Sequence, residues 1–430
     1  MELHNTLEVF IDLRRSGEDE PETRHVGSLR ASFQGTSRVL GAVRFEYAPE
    51  YLADERRIAL SPTLQLLRGP QLLEANSSLP DVFADTAPDD WGQSVIRETV
   101  NRKHPGIQVG SFDFLALAGD EGRVGALRYQ DAHGAWVGQS EPGETGAGEM
   151  LVDKAANFTR IAQRFERHEA TQEDIDTLGA AGSSLGGARP KVSINHEGKL
   201  WLLKLPSSRD WNTDTEAWET VALRIAQASG IRVPEHRLFY SREGGSSLLI
   251  ERFDRDGDRR LHYMSAMTVL QAVPGSVETY EDLADALVDL GAPREDLREL
   301  FLRVAFNVLI SNRDDHWRNH GFLFDNGWRL SPMFDVNPVR ATSPMRSRPI
   351  NKRDTPSDRQ IALLLDDCDV YGLTPQQAAM RLDPLIDAVS RWREIARHCR
   401  ISESEIGSMS SAFREDQYAV AEDFVEKHQP

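Results

Sequence analysis

Residues 312–319 read Asn-Arg-Asp-Asp-His-Trp-Arg-Asn, and sixteen positions past Asn319 stands a further carboxylate, Asp335, in Ser331-Pro-Met-Phe-Asp-Val336. The cluster follows an apolar stretch, 302–310, and precedes Gly321-Phe-Leu-Phe324, a short strand pattern. Charged residues on a loop held between two apolar segments are hard to explain by packing. They offer the groups that phosphoryl transfer needs: a carboxylate to accept a hydroxyl proton, and hard oxygen ligands for Mg²⁺. Working outward, the chain is β-rich before this loop and α-rich around and after it. That order predicts an α+β, two-lobed protein.

Asp314 and Asn319 have the D-x-x-x-x-N separation of a protein-kinase catalytic loop, and Asp335 falls where such enzymes hold a second Mg²⁺ contact. Asp314 is therefore the candidate catalytic residue, with Asn319 and Asp335 as candidate metal ligands. His316 reads first as a structural histidine bonding the loop backbone. A metal hydrolase fits less well, because the stretch lacks His at i, i+4 and a third ligand.

The chain has 430 residues, enough for two to three domains. Charged residues make up 27% and hydrophobic ones 40%, an ordinary globular composition. Only Cys368 and Cys399 carry thiols, which argues against a disulfide framework and for a reducing cytoplasm. The start, Met-Glu-Leu-His-Asn, has no signal-peptide character, and no run of eighteen apolar residues is long enough to span a bilayer. A net charge of −18 disfavours DNA binding by the whole surface. It suits a basic partner or, more simply, solubility.

Strand patterns begin at Leu7–Ile11 and at Val43-Arg-Phe-Glu-Tyr47, which alternates strictly. A helix follows Pro88-Asp-Asp-Trp-Gly92, residues 132–148 read as a linker, and a charged helix covers about 150–168. Two strands over 191–195 and 200–205 precede a helix over 214–229 that Gly230 ends. Residues 248–253 form another strand, and the chain is mainly helical after about 260. Thr374-Pro375-Gln-Gln377 opens a helix with an N-cap, a proline at N1 and a capping-box glutamine, and this helix is expected to reach about Cys399. The expected domains are an N-terminal accessory subdomain (1–130), a nucleotide-binding lobe (131–255) and a helical catalytic lobe (256–430).

Four further strings bear on chemistry. Ser183-Ser184-Leu-Gly186-Gly187-Ala188-Arg-Pro-Lys191 lets backbone N–H groups approach phosphate oxygens, though it departs from the Walker pattern and taken alone reads as a turn. Lys204, in Trp201-Leu-Leu-Lys-Leu-Pro206, is costly to bury without an anion. It reads either as a phosphate contact held by Glu219 or as an edge-strand lysine reaching solvent. Leu248-Leu-Ile-Glu251-Arg-Phe253-Asp-Arg255 suits an adenine hinge, but by itself reads better as a surface ion-pair cluster. Arg340, Arg346, Arg348, Lys352 and Arg353 make a basic segment that suits an anionic substrate or, more simply, a solvated loop.

Taken in order, these segments resemble the HipA family of serine/threonine kinases, the toxins of HipBA-type toxin–antitoxin modules. The resemblance runs through Ser184–Lys191, Leu203–Pro206, Glu251–Arg255, Asn312–Asn319 and Leu330–Val336. It also includes Phe45-Glu-Tyr47, Ala59–Pro62, Ala87–Gly92 and Val124–Leu127, so it covers roughly residues 5–400. It implies a two-lobed protein-kinase-like fold that uses ATP and Mg²⁺. Asp314 would be catalytic, Asn319 and Asp335 would hold the metal, and Lys204 would touch the phosphates. Glu251 and Phe253 would line the adenine hinge through backbone groups. Ser184, Gly186, Gly187, Ala188, Lys191, Glu219 and His316 would complete the nucleotide site. Ser184, or its neighbour Ser183, would be the autophosphorylated serine that shuts the enzyme off. The implied partners are a DNA-binding HipB-like antitoxin and a protein substrate, an aminoacyl-tRNA synthetase being the best-known class. Arg189-Pro190 and Arg318 depart from the family's commoner residues. Two other readings stay open: a catalytically weak subunit of a repressor complex, and a small-molecule kinase.

Overall fold

Alternation sets the first sheet. In Thr6–Asp12 (β1) the apolar residues Leu7, Val9 and Ile11 are fully buried, and in Leu40–Tyr47 (β3) Val43, Phe45 and Tyr47 point inward while Arg44 and Glu46 face out. With Thr23–Phe33 (β2), Gln71–Ser77 (β4) and Leu127–Gln130 (β5) they form an antiparallel sheet in the order β4-β3-β2-β1-β5. This computed structural model describes residues 3–13, 23–35, 37–138, 151–181, 187–210, 212–240, 245–273, 276–340, 347–355 and 359–428.

A second antiparallel sheet carries the central part of the chain. Lys191–His196 (β6), Lys199–Lys204 (β7), His236–Tyr240 (β8) and Ser246–Glu251 (β9) pair in the order β6-β7-β9-β8. Its middle strands are apolar on both faces, as strands covered on both sides must be. One face packs Leu203 and Leu249 against Trp91, Phe158, Ile161 and Leu178. The other meets the helix Thr215–Ala228 in the main core. That helix ends before Gly230, whose φ of +82° is the left-handed turn a glycine enters at no steric cost.

A ribbon of Arg255–Asp256 (β10) with Arg259–Arg260 (β11) leads to a third sheet of His262–Ser265 (β12), Gly321–Phe324 (β13) and Trp328–Leu330 (β14). The switch to helices at about 260 is thus later than expected, because β12 adds to the short strand after the catalytic-loop candidate. The lobe beyond is helical, built on Tyr280–Asp289, Arg294–Leu309, Ile361–Asp366, Pro375–Ser390 and Glu415–His428. Thr374 caps the fourth of these, with Pro375 at its start and Gln377 closing the capping box. The helix stops at Ser390, not near Cys399; a new one runs over Trp392–His398. The break turns Trp392 flat onto Phe413, with ring centroids 3.9 Å apart, and brings it to 6.0 Å from Trp218. Burying that aromatic group outweighs one continuous helix.

Packing also crosses the expected boundary at residue 130. The helix Asp90–Lys103 contributes Trp91 and Val95 to the core beneath the second sheet. No helix among the described residues is long and apolar enough to cross a membrane.

Candidate active site

Lys204 ends β7, flanked by β6 and β9, opposite Lys191 on one side and Leu248 on the other. Being inside the sheet and 8% exposed, it is not an edge lysine reaching solvent. Its ammonium donates to both Glu219 oxygens at 2.7 Å and to Asp335 Oδ1 at 2.7 Å. Glu219 is delivered by the second turn of the Thr215–Ala228 helix, whose N-cap Asp214 accepts from Ala217 N at 3.1 Å. Burial pulls the Lys204 ammonium down, but Asp335 and Glu219 more than offset it, and its pKa ends above the ordinary lysine value. Burial raises Glu219 above the ordinary carboxylate range, whereas Lys204 overcomes burial at Asp335 and holds that carboxyl below it. The cluster therefore keeps a cation in a buried place by surrounding it with two acids.

The candidate catalytic loop hangs between the helix Arg294–Leu309 and β13. Its two adjacent aspartates part company. Asp314 is exposed, and its carboxylate makes no hydrogen bond or ion pair among the described residues. Asp315 is 1% exposed and accepts from Arg359 Nη1 at 2.7 Å, from His320 Nε2 at 2.8 Å and from the Tyr280 hydroxyl. Burial works against its charge, but His320 and Arg359 hold the carboxyl well below the usual range. Arg359 also donates to the backbone oxygens of Asn307 (3.1 Å) and Asn312 (2.7 Å). Asp315 is thus the anchor that fixes the loop and leaves Asp314 facing outward.

Asn319 ties the loop to Asp335. Its Nδ2 donates to Asp314 O at 3.1 Å and reaches Asp335 O at 3.5 Å. Its Oδ1 is buried and has no hydrogen-bond partner among the described residues. Asp335 has φ +53°, a left-handed conformation that strains a residue with a side chain. An orphaned buried oxygen beside a strained aspartate suits a hard cation. No group of three or more His, Cys, Asp or Glu that could hold a metal exists among the described residues. Mg²⁺ needs none, since it takes one or two protein ligands and completes its shell with water and phosphate oxygens. The residues present fit it.

Leu202, Ile250, Phe253 and Phe334 share an apolar slot with Lys204 and Asp335. The Phe253 and Phe334 rings are 5.2 Å apart. At the strand end Glu251 N already donates to Glu235 O (2.9 Å) and Arg252 N to Leu200 O (3.0 Å), while the Phe253 amide makes no hydrogen bond among the described residues. The Glu251 carboxylate points away, to Lys199 at 2.8 Å. The next residues form an ion-pair cluster, but a buried one and not a surface one. Asp254, fully buried, accepts from Arg252, from Arg255 and from Gly125 N, each at 2.7 Å. The arginines in turn donate to the backbone oxygens of Gly122 and Arg123. Gly125, with φ +74° and Tyr263 3.1 Å from where a Cβ would stand, lets the first sheet's loop come this close. The string therefore docks the loop before β5 onto the segment that follows β9.

The glycine-rich string is divided. Ser183, Ser184 and Gly186 lie outside the described residues. Gly187 O accepts from Lys191 Nζ at 3.1 Å and from Trp91 N at 3.4 Å. Ala188 is exposed and faces a separate cavity beside Trp91 and Phe165. Lys191 is 2% exposed and its ammonium pairs with Asp89. Arg189 binds both oxygens of Asp210 at 2.7 Å and Glu216 at 2.8 Å, which accounts for an arginine at this departure from the family's residues. The His316 ring does not bond the loop backbone: its Nδ1 is buried without a hydrogen-bond partner, and the ring shares a cavity with Gly187 and Phe334. The basic segment is largely engaged within the fold: Arg340 meets Thr213, Arg353 meets Asp367, and Arg348 lies 5.7 Å over the Trp317 ring, while Arg346 lies outside the described residues. Sequence reasoning missed Asp315, Asp254 and Asp89. Nothing in the residue types says which of two neighbouring aspartates is buried, and each of the three has a partner far along the chain: Arg359 for Asp315, Gly125 for Asp254 and Lys191 for Asp89.

The chain matches two family models, the HipA-like C-terminal domain over residues 183–413 and the HipA N-terminal domain over residues 22–130. A Sinorhizobium fredii protein named "Putative kinase Y4mE" is 29% identical over 202 residues, covering 40% of this chain and 47% of that protein. This chain thus spans about half the length of the curated relative it matches. Among solved structures, a chain of the Shewanella oneidensis MR-1 toxin–antitoxin complex of HipA, HipB and operator DNA superposes with a TM-score of 0.63 at 17% identity, over 98% of this chain and 99% of that one. The Helicobacter pylori proinflammatory kinase CtkA gives a TM-score of 0.43 at 17% identity, over 56% of this chain and 94% of that one.

Proposed function

The chain belongs to the HipA family, and on that premise we propose that it is an ATP- and Mg²⁺-dependent serine/threonine protein kinase acting as a toxin. The observation that carries the reading is the meeting of Lys204, Glu219 and Asp335 with Asn319, whose amide also holds the backbone oxygen of Asp314, drawn from separate parts of the chain. Lys204 binds the ATP phosphates while Glu219 keeps it aligned. Phe253 and Phe334 wall the adenine slot, and the Phe253 amide is the hinge donor. Asp314 accepts the proton of the attacking hydroxyl. Asn319 and Asp335 hold Mg²⁺, which neutralises phosphate charge when bound. The rate gain comes from positioning and charge stabilisation, with no covalent intermediate.

The substrate is a protein Ser or Thr, an aminoacyl-tRNA synthetase being the class the family suggests, and the consequence is arrested translation in the cytoplasm. A DNA-binding HipB-like antitoxin restrains the chain, which meets DNA only through that partner. Ser184 or Ser183 receives the inhibitory autophosphorylation, since a phosphate adds about −1.5 to −2 charges beside the ATP phosphates. Incubating the purified protein with radiolabelled ATP and a cell lysate, then identifying the labelled band, tests the activity. A chain that binds ATP yet labels neither itself nor any protein is instead a repressor subunit or a small-molecule kinase. Intact-mass measurement with peptide mapping tests the serine assignment: ATP incubation adds one phosphate at 183 or 184, and modification confined elsewhere rejects it.

A further inference from the structure

Resting on the kinase reading, we propose that Asp89 is a positioning residue for the nucleotide site, fixing Lys191 and the Gly187 end of the glycine loop from the N-terminal part of the chain. Asp89 stands 102 positions before Lys191, and the two side chains are 4% and 2% exposed. One Asp89 oxygen caps the helix Asp90–Lys103 by accepting from Gly92 N at 2.8 Å; the other takes the Lys191 ammonium. Lys191 Nζ and Trp91 N both reach Gly187 O, at 3.1 and 3.4 Å. The start of one helix therefore holds the loop end twice, directly and through Lys191. The helix itself cannot drift, since Trp91 and Val95 belong to the core under the second sheet.

The cross-strand register explains why this matters. Lys191 and Lys204 are directly opposed on β6 and β7, so their side chains leave the same face. Two ammonium groups so placed repel unless each has its own counter-charge. Glu219 and Asp335 serve Lys204, and Asp89 serves Lys191. Without Asp89, Lys191 is drawn to Asp335, the carboxylate the cleft must offer to the metal, and it lets go of the loop. Nothing in the motif-by-motif reading gave Asp89 a task of its own.

The test is a double-mutant cycle on the full chain. Asp89→Ser removes the ion pair but keeps a side chain that caps the helix; Lys191→Met removes the charge and keeps the length. Asp89→Ser is expected to raise the KM for ATP by about tenfold while kcat changes by less than about threefold, and the double variant to be no worse than Lys191→Met alone. Asp89→Glu should restore part of the loss. Independent, multiplying effects, or an unchanged KM in Asp89→Ser, overturn the proposal. Should Asp89→Ser fold poorly, because a buried ammonium loses its counter-charge, the double variant and Asp89→Glu still decide between coupling and independence. Equilibrium ATP binding separates the two layers. A wild-type chain that binds ATP but transfers no phosphate rejects the kinase reading, and the same cycle read as ATP Kd still judges Asp89. A wild-type chain that binds no ATP rejects both.

Discussion

Two charged clusters lie near opposite ends of β9, one around Lys204, which pairs with Leu248, and one around Asp254 just past Glu251, and they are built to opposite rules. Around Asp254 the donors and acceptors are matched: two arginines and a backbone amide meet one carboxylate, and the arginines' other N–H groups find backbone oxygens. Around the cleft the matching is incomplete. Asn319 Oδ1 and His316 Nδ1 are buried without hydrogen bonds among the described residues, and Asp335 is held in a strained conformation. A saturated network holds parts of the fold in place, whereas an unsaturated one keeps capacity for something that arrives later. Asp315 and Asp314 repeat the contrast within two residues.

The sharpest break of this comparison is Asp314→Asn. It should lower phosphate transfer by about 10³–10⁴-fold, with ATP affinity and melting temperature little changed, because the side chain bonds nothing among the described residues. Label transfer from ATP measures it, and near-normal transfer removes Asp314 from the mechanism. On the saturated side, Asp254→Ala strands two buried arginines and should cost roughly 3–5 kcal/mol of stability. Urea unfolding gives the value; a loss below about 1 kcal/mol means the cluster is not the fastener described.

Acid–base titration separates two buried carboxylates, Glu216 beside Arg189 and Asp254, which respond with opposite sign. Burial, partly countered by Arg189, pushes Glu216 up to about 7. The folded state then binds more protons than the unfolded one between the ordinary glutamate value, about 4.3, and that folded value, so stability falls as pH rises through this window, by roughly 3–4 kcal/mol in all. Glu216→Gln should flatten this slope. Asp254 behaves the other way. Burial raises its carboxyl, but Arg252 and Arg255 overcome it and hold the pKa below the usual range. Its contribution is complete above about pH 4 and is lost only as pH falls through its depressed folded value. Stability measured against pH for wild type and Glu216→Gln checks the first sign; identical curves refute it. The smallest expected effect is at the orphan oxygen. Asn319→Ala should raise the Mg²⁺ concentration for half-maximal activity by about tenfold, worth ~1.4 kcal/mol, and an unaltered Mg²⁺ requirement would assign that oxygen elsewhere.

Much of the architecture was readable in one dimension. Alternation gave β1 and β3, Thr374 and Pro375 gave a helix start, and Gly230 gave a helix end, because each depends on neighbours a few residues away. The helix break at Arg391 was not readable, since the residue that repays it, Phe413, stands 22 positions on. In the cleft, Lys204 was legible as a costly charge, but the sequence left open whether Glu219 holds it or it reaches solvent, and the burial of Asp254 was not legible; by itself that string looked solvent-facing.

The sequence by itself determined which residue types were on hand: an Asp and an Asn five apart, a later Asp, a lysine inside an apolar strand, and the order β before α. Those are properties of spacing, fixed once the chain is written. Only the tertiary structure decided which aspartates are anchors and which face the cleft, and that Asp89 serves Lys191. Burial and counter-charge depend on residues brought together from distant parts of the chain, 44 positions apart for Asp315 and Arg359 and 102 for Asp89 and Lys191, and no local pattern records where such partners meet.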